Sequence, residues 1–304
     1  MKRRTGIFGI VLLLVLFASG AFVALRLMIG GAPSFAVGGR VAILPVDGLI
    51  ESEREFVRRL DRFKDDRSVR AFVLEVRSPG GAAAPSQAIY ETLRALRETD
   101  ERPLVAWIGE IGTSGGYYAA LPADTILALP SSVTGSIGVV MTLPNAGELL
   151  RRWGLDVEVI ESGPHKDAGG FHRPLEEEGR RILQTLIDDT HEQFVDAVAA
   201  SRPLTRDSVL VLADGRVLSG ERAARAGLID RTGTFEDALA VAGRMADLGD
   251  DPRTVRPERP AVPLFEALRG GGVAAMFVAA LLERFGVSPF GPPSTTPSLR
   301  YEWR

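Results

Sequence analysis

The chain has 304 residues, of which 45% are hydrophobic, and its formal net charge is −3. This length and apolar content suffice for one domain of about 200 residues with appended segments. The low net charge and the lack of a basic stripe argue against nucleic-acid binding. The absence of cysteine excludes disulfides, thiolate catalysis and zinc-thiolate sites, and three histidines leave little material for another metal site. We therefore predict neither a metal nor a cofactor.

An uncharged apolar run from Thr5 to Leu25 follows the basic residues Lys2, Arg3 and Arg4. About 20 apolar residues are enough to cross a bilayer as a helix. The alternative is a cleaved secretory signal, but its apolar region is usually only about 7–15 residues long. The run therefore favours an uncleaved transmembrane anchor within residues 1–27, with the basic residues in the cytoplasm and the rest of the chain exported.

Residues 28–40 form a linker rich in Gly and Pro, and strand and helix patterns alternate from residue 41 to residue 245. Short apolar runs such as Val69–Val76 and Leu104–Ile108 predict strands, and Asp156–Ile160 is predicted to be another. Apolar residues at helical spacing predict helices between them. This alternation predicts an α/β fold with right-handed crossovers, in a single catalytic domain.

Three segments are predicted after this domain. Residues 246–261 are charged and contain proline, which suits a linker. Residues 262–286 form an apolar helix whose uncharged part is short for a membrane span, so we expect it to dock or to lie at a membrane surface. Residues 287–304 are rich in Pro, Ser and Thr and predict a disordered tail.

A Gly-rich corner at Thr113–Gly116 follows the predicted strand Leu104–Ile108 and precedes a predicted helix. Ser114 would project its hydroxyl from this sharp turn, while the glycines allow close approach and the helix amides favour an anion. This is the logic of a nucleophile elbow, although the sequence is not the hydrolase GxSxG pattern. A serine in a Gly-rich turn is more often a turn residue, so the assignment depends on other segments.

Two other segments support a catalytic serine. Ser78–Gly81, with the sequence SPGG, ends a predicted strand, and its adjacent glycines can present backbone N–H groups to an oxyanion. Lys166 lies in a Gly-rich loop after another predicted strand. Such a lysine is usually a solvated surface residue, but a lysine desolvated beside a serine can act as a general base.

These motifs resemble those of the A-type bacterial signal peptide peptidases, the SppA family. The resemblance rests on four ordered motifs, together with a closing segment at Asp214–Leu239, and it extends from about residue 41 to residue 245. The motifs are SPGG (Ser78–Gly81), TSGGYYAA (Thr113–Ala120), ADTILALPSSVTGSIGV (Ala123–Val139) and GPHKD (Gly163–Asp167).

The resemblance implies a Clp/crotonase-like fold of repeated β-β-α units and an ATP-independent serine endopeptidase with a Ser-Lys dyad. It implies that Ser114 is the nucleophile, Lys166 the general base and Ser136 the residue that orients the lysine. Gly81 and Gly115 would supply the oxyanion hole. The expected substrates are cleaved signal peptides or other membrane-associated hydrophobic peptides.

The family also implies a homo-oligomer in which neighbouring subunits share sites. With the predicted anchor, the expected location is the bacterial inner membrane, with the catalytic domain on the extracytoplasmic side. Three alternatives stay open. His165, directly before Lys166, leaves a Ser-His dyad formally possible, although no acidic residue that would orient it is identifiable. The fold could instead serve as a catalytically silent peptide-binding scaffold, or as an acyl-CoA enzyme of the crotonase type.

Overall fold

The computed structural model describes residues 39–257 and, by their backbone, residues 300–302. The described strands are β1 (Arg40–Ile50), β2 (Val69–Ala82), β3 (Leu104–Thr113), β4 (Thr125–Ala128), β5 (Val133–Gly135), β6 (Val217–Ser219), β7 (Arg231–Thr232), β8 (Thr254–Val255) and β9 (Arg300–Glu302). The described helices are α1 (Arg54–Lys64), α2 (Ala83–Thr99), α3 (Gly115–Ala120), α4 (Gly147–Arg152), α5 (Glu177–Ser201), α6 (Arg206–Leu212), α7 (Gly220–Arg225) and α8 (Phe235–Met245).

The strands form one mixed sheet with the central order β6–β5–β3–β2–β1–β8. β1, β2 and β3 are parallel neighbours, and β4 and β5 follow one another along the far edge of β3. β7 pairs with β4 and β8 pairs with β1, both in parallel. β6 is antiparallel to β5, and β9 is antiparallel to β2. The sheet and its crossover helices confirm the predicted α/β class.

The core lies on both faces of this sheet. Successive strand residues point to opposite faces, so the continuous apolar runs of β1 to β3 supply one buried row to each side. Leu74 and Ala106 face α2, α3 and α5, whereas Val73 and Val105 face α8. Burial on both faces explains why these strands were recognisable as unbroken apolar runs.

Aromatic side chains fix α3, the short helix that begins directly after Ser114. The ring of Tyr118 stacks on Phe194 of α5 at 4.6 Å and packs against Tyr90 of α2 at 4.9 Å. The fully buried hydroxyl of Tyr117 donates a hydrogen bond to the Leu228 carbonyl at 2.6 Å. Burial raises the pKa of Tyr117, so this hydroxyl stays a neutral donor. The corner before α3 therefore rests on a rigid support.

Tyr117→Phe should lower the free energy of unfolding by about 1–2 kcal/mol, because it leaves the buried Leu228 carbonyl without its donor. Denaturant unfolding of the two proteins measures this difference. An unchanged midpoint and slope would show that the hydrogen bond of the Tyr117 hydroxyl contributes nothing to stability.

The predicted strand at Asp156–Ile160 is wrong. These residues have no strand partner within the described part of the chain, and all of them are exposed to solvent. Val157 and Val159 are each 43% exposed, and Ile160 is 95% exposed. The local pattern favours a strand, but a strand also needs a neighbouring edge, and residues 39–257 of one chain do not supply it here.

The predicted location in a membrane is contradicted. Among the described residues, no helix is long and apolar enough to cross a bilayer. The run Thr5–Leu25, from which the anchor was predicted, lies outside the described residues, as does the predicted helix 262–286.

Candidate active site

Ser114 occupies the corner between β3 and α3 in an unusual backbone conformation. Its φ and ψ are 53° and −118°, a region that non-glycine residues rarely adopt and that is found disproportionately at functional sites. Two backbone hydrogen bonds hold it there. The Ser114 N–H donates to the Gly135 carbonyl at 2.8 Å, and the Tyr118 N–H donates to the Ser114 carbonyl at 2.9 Å.

The Ser114 hydroxyl is fully buried and has no hydrogen-bond partner among the described residues. Buried side-chain hydroxyls are nearly always paired, since leaving one unpaired costs about 1–3 kcal/mol. The strained backbone and the unpaired buried hydroxyl each lower the stability of the fold. These two features distinguish Ser114 from an ordinary turn serine.

The SPGG segment, residues 78–81, forms the end of β2 and lies directly against this corner. The hydroxyl of Thr113 donates to the Pro79 carbonyl at 3.1 Å. A Cβ on Gly116 would lie 2.7 Å from the Ser78 carbonyl oxygen, so only glycine allows α3 to approach the SPGG segment this closely. At Gly81 a Cβ would lie 2.2 Å from a backbone oxygen of β1. The structure thus brings the predicted oxyanion segment beside the predicted nucleophile.

Ser136 directly follows β5, the strand that pairs with the end of β3 before Ser114. Thr113 and Gly135 are register partners of β3 and β5, and each is followed by a serine with positive φ. Ser136 has a φ of 52° and is 6% exposed, and its N–H donates to the Arg216 carbonyl at 2.8 Å. The chain therefore brings together both predicted site serines.

A cavity of about 510 Å³ opens next to Ser136. Its lining combines apolar side chains, including Val139 and Ile187, with the polar residues His191 and Asp214. The Asp214 carboxylate in this lining forms an ion pair with Arg216, whose hydrogen bonds lower the pKa of Asp214 to about 2. The Nε2 atom of His191 is buried and has no hydrogen-bond partner within the described residues.

Lys166 is exposed in the loop after residue 160, and its ammonium makes no hydrogen bond or ion pair with the described residues. No contact joins it to Ser114 or Ser136 in the described part of a single chain, and it does not line the cavity beside Ser136. The adjacent His165 is exposed as well. The described part of a single chain therefore brings together the nucleophile corner, the SPGG segment and Ser136, but not the predicted base.

The sequence analysis did not identify Asp167, whose contacts hold the loop that carries Lys166. Asp167 accepts a hydrogen bond from Arg173 Nε at 3.1 Å, and its carboxylate lies 3.3 Å from His172 Nε2. Its backbone N–H also donates to Glu161 at 3.2 Å. The only sequence signal was the position of Asp167 directly after Lys166, in the GPHKD motif. Contacts of Asp167 thus connect the loop that carries Lys166 to the residues on either side of it.

The sequence model described as Peptidase family S49 matches residues 97–249. Over 233 residues, the chain is 39% identical to a putative protease of Synechocystis, covering 76% of this chain and 83% of that protein. It is 34% identical to a putative signal peptide peptidase SppA of Enterococcus faecium, covering 62% of this chain and 54% of that protein. It is 30% identical to Protease 4 of Haemophilus influenzae, covering 71% of this chain and 36% of that protein.

Proposed function

The chain belongs to peptidase family S49, in which its relatives include SppA and protease 4 proteins, and we propose that it is a serine endopeptidase with Ser114 as its nucleophile. The observation that carries this proposal is the Ser114 hydroxyl, which is buried without a partner among the described residues on a strained corner in contact with the SPGG segment. Membership of the family makes the protein a protease, and the serine mechanism is our proposal.

In the proposed mechanism, the Ser114 Oγ attacks the scissile carbonyl carbon while the neutral Lys166 amine takes the hydroxyl proton. The backbone N–H groups of Gly81 and Gly115 donate to the oxyanion that forms. The C–N bond then breaks, and the Lys166 ammonium returns its proton to the leaving amine. Water, activated in turn by Lys166, attacks the acyl-serine ester and releases the second product. Ser136 accepts a hydrogen bond from the ammonium and holds it in place.

The base in each site comes from a neighbouring copy, in a homo-oligomer. This part of the proposal is supported by the exposed Lys166, whose ammonium makes no hydrogen bond or ion pair with the described residues. It is also supported by residues 155–160, which precede the loop carrying Lys166 as an exposed segment with apolar side chains at Leu155, Val157 and Val159. A second copy that pairs with this segment would cover its apolar side chains and fix the lysine loop in position.

Hydrophobic peptides, including cleaved signal peptides, are the proposed substrates. The support is the similarity to the putative signal peptide peptidase SppA of Enterococcus faecium and the shared family. We further propose a Clp/crotonase-like arrangement of the peptidase domain over residues 41–245. This range contains all the described helices and the strands β1 to β7, except the first residue of β1. The linker 28–40 and the apolar helix 262–286 stay predictions from the sequence. The predicted linker 246–261 contains β8, and the predicted disordered tail 287–304 contains β9.

Mixed oligomers test the shared site. We expect Ser114→Ala and Lys166→Ala proteins to be inactive alone but to regain activity when they are co-produced, because some sites then combine an intact serine with a neighbour's intact lysine. With equal amounts and random assembly, roughly a quarter of the sites are complete. Activity is followed as cleavage of a hydrophobic signal-like peptide, with the assembly confirmed by light scattering.

Co-produced variants that assemble but stay inactive would show that each site draws both residues from one chain. An assembled wild-type protein that binds the peptide without cleaving it would instead favour a catalytically silent scaffold on the same fold.

A further inference from the structure

Lys166 is followed in the chain by a carboxylate that does not pair with it. Asp167 accepts a hydrogen bond from Arg173 Nε at 3.1 Å, and the same oxygen, Oδ2, lies 3.3 Å from His172 Nε2. The Lys166 ammonium makes no hydrogen bond or ion pair with the described residues. The negative charge next to the lysine is therefore paired with an arginine that lies six residues after Asp167.

The packing of the loop holds the Asp167 carboxylate in this position. A Cβ on Gly170 would lie 2.5 Å from Asp167 Oδ1 and 2.8 Å from His172 Cε1, so only glycine leaves room for this arrangement. Arg173 also donates to Glu176 through Nη1 at 2.5 Å, so its guanidinium lies between two carboxylates. The hydrogen bond to Asp167 raises the pKa of Arg173, and the guanidinium therefore stays charged at every pH at which the protein is folded.

Other charged groups line the same cavity as Asp167, which has a volume of about 610 Å³. They come from α4, from the segment before the loop and from the segment after it: Arg151, Asp156, Glu161, His172, Arg173 and Glu176. With Asp167 included, four carboxylates and two arginines line this cavity. Removal of Arg173 would therefore leave an excess of negative charge beside the loop that carries Lys166.

A free carboxylate beside a lysine stabilises the ammonium and opposes the loss of its proton. The mechanism proposed above needs the neutral amine, because Lys166 takes the proton of the Ser114 hydroxyl. We propose that Arg173 neutralises the Asp167 carboxylate, so that the adjacent lysine can lose its proton and act as the base. This role rests on the proposed function, in which Lys166 is the base. Arg173 is then a positioning residue that acts through Asp167.

The pH dependence of kcat/KM, which reports ionisations of the free enzyme, tests this role in the Arg173→Gln protein. The substitution frees the Asp167 carboxylate, so we expect the acidic limb of the profile to move up by about one pH unit. At a fixed pH on that limb, activity then falls about tenfold. The double variant Arg173→Gln/Asp167→Asn has no carboxylate at this position, and Arg173→Lys keeps a cation that can pair with it. Both should show the wild-type profile.

Arg181→Gln is the matched control. Arg181 pairs with Glu178 rather than with Asp167, and its loss changes the net charge by the same amount. It should leave the profile unchanged. An arginine that only holds the shape of the loop would give another result. Arg173→Gln would then lower kcat at every pH without moving the acidic limb, and the added Asp167→Asn change would not restore activity.

The protonation of Lys166 is also measured without activity, in assembled protein that carries Ser114→Ala. Acetic anhydride acylates the neutral amine, and peptide mapping by mass spectrometry gives the rate at Lys166 for each pH. The chain has two other lysines, Lys2 and Lys64. Lys64, which pairs with Asp61 at 2.8 Å, serves as the internal reference. At a pH below the midpoint, we expect Arg173→Gln to slow the labelling of Lys166 about tenfold and the double variant to restore it.

An unchanged labelling profile of Lys166 in the Arg173→Gln protein would overturn the proposal, and so would a shift that persists in the double variant. If no form of the protein cleaves any peptide, the labelling rates still decide whether Arg173 controls the protonation of Lys166. A labelling shift without any cleavage would count against the proposed function alone.

Discussion

Ser114→Ala should lower peptide hydrolysis by about a thousandfold or more while the protein keeps its fold and its stability. The nucleophile and its base act as a unit, so the loss of one removes nearly all covalent catalysis and leaves only the contribution of binding and the oxyanion donors. The alanine also removes a buried, unpaired hydroxyl, so the free energy of unfolding should stay the same or rise slightly. Steady-state cleavage of a signal-like peptide and thermal unfolding measure the two effects.

Ser131→Ala is the matched control, since Ser131 lies exposed in the motif that leads to Ser136. It should keep wild-type turnover. If a clean Ser114→Ala preparation keeps turnover as well, Ser114 is not the nucleophile, and its strained corner needs another explanation.

Lys166→Ala should lower kcat by about 10²–10⁴-fold, the usual contribution of a positioned general base. Lys166 is exposed and makes no ion pair with the described residues, so its loss should not change the stability of a single chain. The adjacent His165→Ala is a close control, because it alters the same loop and removes the alternative base. We expect it to keep nearly full activity.

The two variants separate the two candidate bases. Loss of activity in His165→Ala with activity retained in Lys166→Ala would replace the Ser-Lys dyad with a Ser-His pair. Equal loss in both would indicate that the loop is needed for its shape, and light scattering would then show whether the oligomer still forms.

Local sequence patterns predicted most of the fold, because the positions of apolar residues along the chain reflect which side chains are buried. The apolar runs of β2 and β3 are buried on both faces of the sheet, and the Gly-rich corner at Ser114 lies where a strand meets a helix. The segment at residues 156–160 shows the limit of such patterns. Its sequence favours a strand, but pairing requires an edge that the described part of one chain does not offer.

The geometry of the site could be predicted only in part. The SPGG and TSGG motifs identified the segments that form the site. They did not reveal that the Thr113 hydroxyl donates a hydrogen bond to the SPGG segment, or that Gly116 allows the two segments to pack closely. Those contacts join residues more than thirty positions apart, so no local pattern encodes them. The pairing of β9 with Gly80–Ala82 is likewise a long-range contact, and the composition of residues 287–304 predicted disorder there.

The central claim is that Ser114 is the nucleophile, and covalent labelling tests it most directly. A fluorophosphonate probe transfers its phosphonyl group to an activated serine oxygen with loss of fluoride, and peptide mapping by mass spectrometry then locates the adduct. We predict one adduct, on Ser114, in the assembled wild-type protein, and a much slower reaction in Lys166→Ala. An adduct on another residue, or hydrolytic activity that survives full labelling of Ser114, would contradict the account.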